Sequence, residues 1–75
     1  MLQIYPNPAR SVLALRIPQS TDRQAISIFD VSGEVIKEAV SLRNDREIKI
    51  ALKGINPGVY FLRVGRKITK FIVVR

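Results

Sequence analysis

Seventy-five residues contain no cysteine, histidine or tryptophan, and thirteen Lys or Arg against six Asp or Glu give a formal charge of +7. A chain this short makes one domain that buries only about 60% of the surface its unfolded form exposes. Without cysteine or histidine there is no disulfide framework, no thiolate metal site and no histidine base, so neither an enzyme nor a cofactor is expected.

The opening Met1-Leu2-Gln3-Ile4-Tyr5-Pro6 has neither the basic nor the apolar region of a signal peptide. No apolar run approaches the roughly 20 residues of a membrane-spanning helix, so direct membrane insertion is not expected. Because strand-like residues begin almost at once, Met1 is read as a start placed at a domain boundary of a larger protein.

The first strand is expected around Leu2 to Tyr5. It runs into Tyr5-Pro6-Asn7-Pro8-Ala9, where two prolines one residue apart exclude a helix or a central strand and push Tyr5 and Asn7 toward extended conformation. This segment reads as an edge or a crossover. Val12 to Ile17 alternates, with Leu13, Leu15 and Ile17 on one face. Ala25 to Phe29 and Glu34 to Val40 repeat the pattern. Between them Asp30-Val31-Ser32-Gly33 predicts a three-residue hairpin with a bulge, Asp30 accepting a backbone N–H two residues on and Gly33 taking a positive φ.

Glu47 to Leu52 places Ile48, Ile50 and Leu52 on one face. At Asn56-Pro57-Gly58-Val59, Pro57 presets the second position of a turn and Gly58 suits the third, a type II signature. Val59 to Val64 and Ile68 to Val74 form a terminal pair. Gly65-Arg66 fits a two-residue II′ hairpin between them, while Gly65-Arg66-Lys67 fits a longer loop, and the sequence leaves both registers open. No window of ten residues carries a helical stripe. The fold class read from this pattern is all-β: about seven short, mainly antiparallel strands in a β-sandwich.

Charge is unevenly placed. Residues 1–47 carry six basic and six acidic side chains, so the whole excess lies in Lys49, Lys53, Arg63, Arg66, Lys67, Lys70 and Arg75. Positive potential is therefore expected on the C-terminal strands, which end in Phe71-Ile72-Val73-Val74-Arg75 with no polar tail after them. Nucleic acid is not the expected partner, because the five aromatic residues sit among aliphatic ones as core members do rather than as a stacking platform.

Stretches in order along the chain carry a resemblance: "YPNPA", "LALRIP", "ISIFDVSGEVIKE", an isoleucine-alternating strand, "GINPGVYFLRV", and a lysine followed by a β-run to the terminus. Together they resemble the type A C-terminal sorting domain of the type IX (Por) secretion system. The resemblance implies a seven-stranded immunoglobulin-like β-sandwich at the end of a secreted cargo protein of a Gram-negative bacterium. It also implies partners: an outer-membrane translocon with its shuttle proteins, and a sortase-like cysteine peptidase that removes the domain at the cell surface. The cargo would pass through the periplasm on its way to the surface or the medium. No cleavage residue is assigned.

On this reading Lys67, Lys70, Ile72, Val73, Val74 and Arg75 are the candidates for translocon recognition, with Lys67, Lys70 and Arg75 facing an acidic receptor. Tyr5, Pro6, Asn7, Pro8, Asp30, Gly33, Pro57, Gly58 and Tyr60 are expected to be structural. Among Tyr60, Phe61, Ile72 and Val74, core packing is the expected role. Edge lysines also guard against strand pairing between chains, and exposed edges allow a weak homodimer. The alternative function is an immunoglobulin-like accessory module binding carbohydrate or another domain of its parent, although the absence of tryptophan removes the best sugar-stacking platform.

Overall fold

The computed structural model describes residues 3–16, 24–41 and 47–74. Within them lie β1 (Gln3–Tyr5), β2 (Val12–Arg16), β3 (Gln24–Asp30), β4 (Val35–Ser41), β5 (Glu47–Ala51), β6 (Gly58–Val64) and β7 (Lys67–Val73). Each expected strand is present, and wherever both ends are described its limits fall within one residue of those read from periodicity. Leu2 and Ile17 lie outside the described residues.

The strands form two antiparallel sheets, one ordered β1-β2-β5 and the other β4-β3-β6-β7. In immunoglobulin lettering these are A-B-E and C′-C-F-G, so the fourth strand joins the third rather than the fifth. The inner faces meet in one core. Leu13 and Leu15 come from β2, Ile50 from β5, Ile26 and Ile28 from β3, Tyr60, Leu62 and Val64 from β6, and Phe71 and Val73 from β7. Each fully buried Leu, Ile or Phe contributes about 1.5–3 kcal/mol.

Tyr60 is placed in this core by a second bond. Its hydroxyl donates to the carbonyl of Asn56, four residues upstream, at 2.6 Å. A tyrosine at the start of the sixth strand tied back to the preceding corner is the tyrosine corner of immunoglobulin-like sandwiches.

Two turns bear on the expectations. Asp30 to Glu34 forms the bulged hairpin: Gly33 has φ 89°, its N–H donates to Asp30 O at 3.0 Å, and Asp30 N–H donates to Glu34 O at 3.0 Å. Asp30 Oδ1 accepts from Ser32 N at 2.9 Å, Ser32 Oγ at 2.6 Å and Glu34 N at 3.1 Å. These donors, the Ser32 hydroxyl first, hold the Asp30 carboxyl below the usual aspartate range.

The second turn corrects the reading of Asn56 to Val59. Gly58 has a positive φ, but at 158° it is far from the roughly +80° of a type II third position, and it opens β6 opposite Val73. The tight turn comes earlier, at Leu52-Lys53-Gly54-Ile55, where Ile55 N–H donates to Leu52 O at 3.0 Å and Gly54 takes φ 84°. Pro57 then lies in the exposed bend leading into β6. The last hairpin is the two-residue form, since Val64 pairs directly with Lys67 across Gly65-Arg66.

Candidate functional site: the clamped terminal strand

Strand β7 is the outermost strand of the four-stranded sheet, yet its end is not free. Ala9 forms a parallel bridge to Val73: Ala9 N–H donates to Ile72 O at 2.7 Å, and Val74 N–H donates to Ala9 O at 2.8 Å. The Asn7 side chain completes the clamp, its Oδ1 accepting from Ile72 N–H at 3.1 Å. Tyr5-Pro6 and Asn7-Pro8 are both cis peptide bonds. Of the two readings the sequence left open for the proline segment, edge or crossover, it is the crossover, carrying the chain from β1 in one sheet to the outer edge of β7 in the other.

Alternation follows from the clamp. Ile72 turns its backbone groups outward to Asn7 and Ala9, so those of Lys70 and Ile68 point to the same outer edge. That edge is covered from Ile72 to Val74, and among the described residues no strand covers it at Ile68 and Lys70.

Side chains alternate with it. Phe71 is fully buried and Val73 nearly so, while Lys67, Lys70 and Ile72 face solvent and Val74 is half-buried. This corrects the expected core set: Tyr60 is a core residue, but Phe61 is half-buried on the outer face and Ile72 is 39% exposed. Four apolar residues in a row have no internal alternation to set their phase. Pairing of Phe71 with Tyr60 and of Ile72 with Val59 sets it instead. Of the recognition candidates, Val73 serves packing, and Lys67, Lys70 and Ile72 are within a partner's reach. Arg75 lies outside the described residues.

Beside the end of β7 an open depression of about 420 Å³ is lined by Arg10, Ser11, Lys53, Gly54, Ile55 and Val74. It adds two basic residues to the terminal strand's surroundings. The rest of the C-terminal charge is spread more widely than expected: Lys49 sits exposed on β5 in the other sheet, and Arg66 and Lys67 at the tip of the last hairpin. On the far side of the three-stranded sheet, the Tyr5 hydroxyl donates to Glu47 Oε2, and that bond raises the Tyr5 pKa.

The profile of the family described as secretion system C-terminal sorting domain matches residues 3–75. The chain belongs to this family. The sorting domain is a C-terminal secretion signal of the type IX (Por) system rather than an enzyme, and it acts by engaging secretion machinery. A protein bearing it is secreted or displayed at the cell surface. Beta-agarase A of Zobellia galactanivorans is 36% identical over 70 residues, which is 93% of this chain and 13% of that protein. The sorting domain therefore spans about one eighth of the relative it matches.

Sequence reasoning placed Asn7 among the structural residues without its partner. It missed Ala9 as a strand clamp, Gly54 as a turn residue, and Lys37, whose ammonium donates to Ala51 O of β5 at 2.6 Å. A lysine that points inward from an edge strand is the available signal for that last role.

Proposed function

We propose that residues 1–75 form the C-terminal domain of a larger cargo protein and address it to the outer-membrane translocon and shuttle proteins of the type IX system. The cargo crosses the periplasm of a Gram-negative bacterium first, and a sortase-like cysteine peptidase removes the domain after translocation. The terminal strand is the part read. The observation supporting this is the clamp at Asn7 and Ala9, which holds Ile72 to Val74 in a defined shape on the outer edge of β7. Lys67, Lys70 and Ile72 then meet an acidic receptor surface, with Arg75 following them in sequence. Pairing through open edges gives at most a weak homodimer that plays no part in export.

The test is a transplant. Residues 1–75 are fused to a fluorescent protein carrying a periplasmic export signal and expressed in a type IX-competent bacterium and in a matched strain lacking the translocon. Surface or medium fluorescence in the competent strain alone is expected, and so is its loss on deleting residues 72–75. Periplasmic retention of a folded fusion in both strains would overturn the proposal and leave the accessory binding module.

A further inference from the structure

The outer face of the four-stranded sheet is apolar where solvent would favour polar residues. Val35, Phe29, Phe61 and Lys70 stand opposite one another in a single row across β4, β3, β6 and β7. The rings of Phe29 and Phe61 stack at 5.6 Å with planes 20° apart. Val59 pairs with Ile72 on one side of this row, and Arg63 with Ile68 on the other. Ile68 is 56% exposed and Val35 50%. None of this serves the sandwich core, which the opposite faces of the same strands fill.

The other sheet shows that this is not a general habit of the chain. Its outer face mixes Gln3, Arg16, Glu47 and Lys49 with Tyr5, Val12, Ala14 and Ala51, so charged side chains are interspersed among the apolar ones and no aromatic pair is stacked there among the described residues. A contiguous apolar patch on one face of a small domain marks an interaction surface. Aromatic residues beside an arginine are the composition of interface centres. A depression of about 540 Å³ between Ser27, Val35, Glu38, Ala39 and Arg63 opens beside the stack, with room for a partner's anchoring side chain.

We propose that this face, centred on Phe29 and Phe61, continues the docking surface of the terminal strand across the sheet, and that its occupant is a protein surface with an apolar centre and an acidic rim. Charge decides the occupant. Arg63 and Lys70 flank the stack and Arg66 and Lys67 extend the positive rim at the hairpin, against one carboxylate among the described residues of the face, Glu38, and the domain carries +7 overall. A second copy would bring the same excess charge to the contact, whereas an acidic rim is attracted to it. The inference rests on the secretion reading above and extends the recognised area from one strand to the whole sheet face.

The experiment uses the same fusion with three substitutions: Phe61→Thr, which removes the stack while keeping a strand-forming residue; Ile68→Glu, at the most exposed large apolar residue of the face; and Val12→Glu, on the outer face of the other sheet. Unfolding midpoints of the unfused variants identify any that fail to fold, and Ile68→Glu keeps the test valid if Phe61→Thr does. A photo-crosslinking residue at position 68 identifies the neighbour in the competent strain. Expected are a fall of at least tenfold in surface fluorescence for the first two variants, a change within twofold for Val12→Glu, and a crosslink to an acidic protein of the export machinery. Export within twofold of wild type for Ile68→Glu, equal loss in all folded variants, or crosslinks only to a second copy or to lipid would overturn the docking surface. A wild-type fusion that is not exported would remove the secretion reading, and this inference with it.

Discussion

Asn7 Oδ1 accepts a hydrogen bond from the backbone N–H of Ile72 at 3.1 Å across 65 residues of sequence. A side-chain carboxamide here does the work of a strand neighbour: it satisfies a donor on the open edge of β7 where prolines on either side of Asn7 supply no backbone N–H. The start of the sorting domain is thereby tied to the strand proposed as its address.

Substituting Asn7 tests that tie. Asn7→Leu leaves the Ile72 N–H without its acceptor and is expected to cost about 1 kcal/mol, read as a lowered urea midpoint, with faster amide exchange at Ile72. Asn7→Asp keeps an acceptor oxygen and should hold both near wild type. Equal losses in the two variants would show that the carboxamide oxygen is not what matters.

Tyr60→Phe removes the hydroxyl from the corner bond to Asn56 and leaves the ring in the core beside Phe71, 6.0 Å between centroids. The orphaned Asn56 carbonyl is exposed and takes water, so the loss should stay at about 0.5–1.5 kcal/mol. Denaturant titration measures it, and no change at all would mean that the corner contributes nothing beyond packing.

Gly54→Val places a β-branched residue at φ 84°, where a left-handed conformation costs roughly 1–2 kcal/mol or more. No neighbour lies within 4 Å of a Cβ built there, so any destabilisation comes from the backbone and not from crowding. A thermal midpoint unchanged from wild type would remove Gly54 as the turn-forming residue.

Asp30 makes stability depend on pH. Its carboxyl is held below the usual range, chiefly by the Ser32 hydroxyl, so the folded state prefers the ionised form. Its stabilisation is complete above the unfolded pKa and is lost as pH falls through the depressed folded pKa. The stability of wild type relative to Asp30→Asn should therefore decline on acidification below the ordinary aspartate pKa and be constant above it. Paired melting curves across that window check the sign.

Lys37 bridges β4 to the carbonyl of Ala51 on β5, at the side of the sandwich opposite the proline clamp. An exposed bond of this kind is worth little, and Lys37→Met should shift the unfolding midpoint by less than about 1 kcal/mol. Self-association should change more, because an inward charge on an edge strand opposes pairing between chains. Sedimentation velocity is expected to show a larger dimer fraction for Lys37→Met than for wild type.

Strand positions were legible because alternation is a local signal: Leu13 and Leu15, or Ile26 and Ile28, are large aliphatic residues two apart with only the small Ala14 or Ser27 between them, and each pair is buried. The Asp30 hairpin was legible for the same reason, since its carboxylate and Gly33 act within four residues. The terminal strand was not fully legible. In Phe71-Ile72-Val73-Val74 every residue is apolar, and both choices of inward face look alike until β6 pairs with it.

By itself, then, the sequence determined the seven strands, the bulged hairpin, the break from helix and central strand at the prolines, and the order of motifs that carries the family resemblance. Each depends on residues close together along the chain, where propensity and period act directly. Only the tertiary structure decided that Asn7 and Ala9 clamp Ile72 to Val74, that Gly54 rather than Gly58 makes the tight turn, and that Phe29 and Phe61 stack on an outer face. Those outcomes depend on strand register and on which sheet covers which face, and both are set by burying one shared core, a property of the folded chain that no short segment contains.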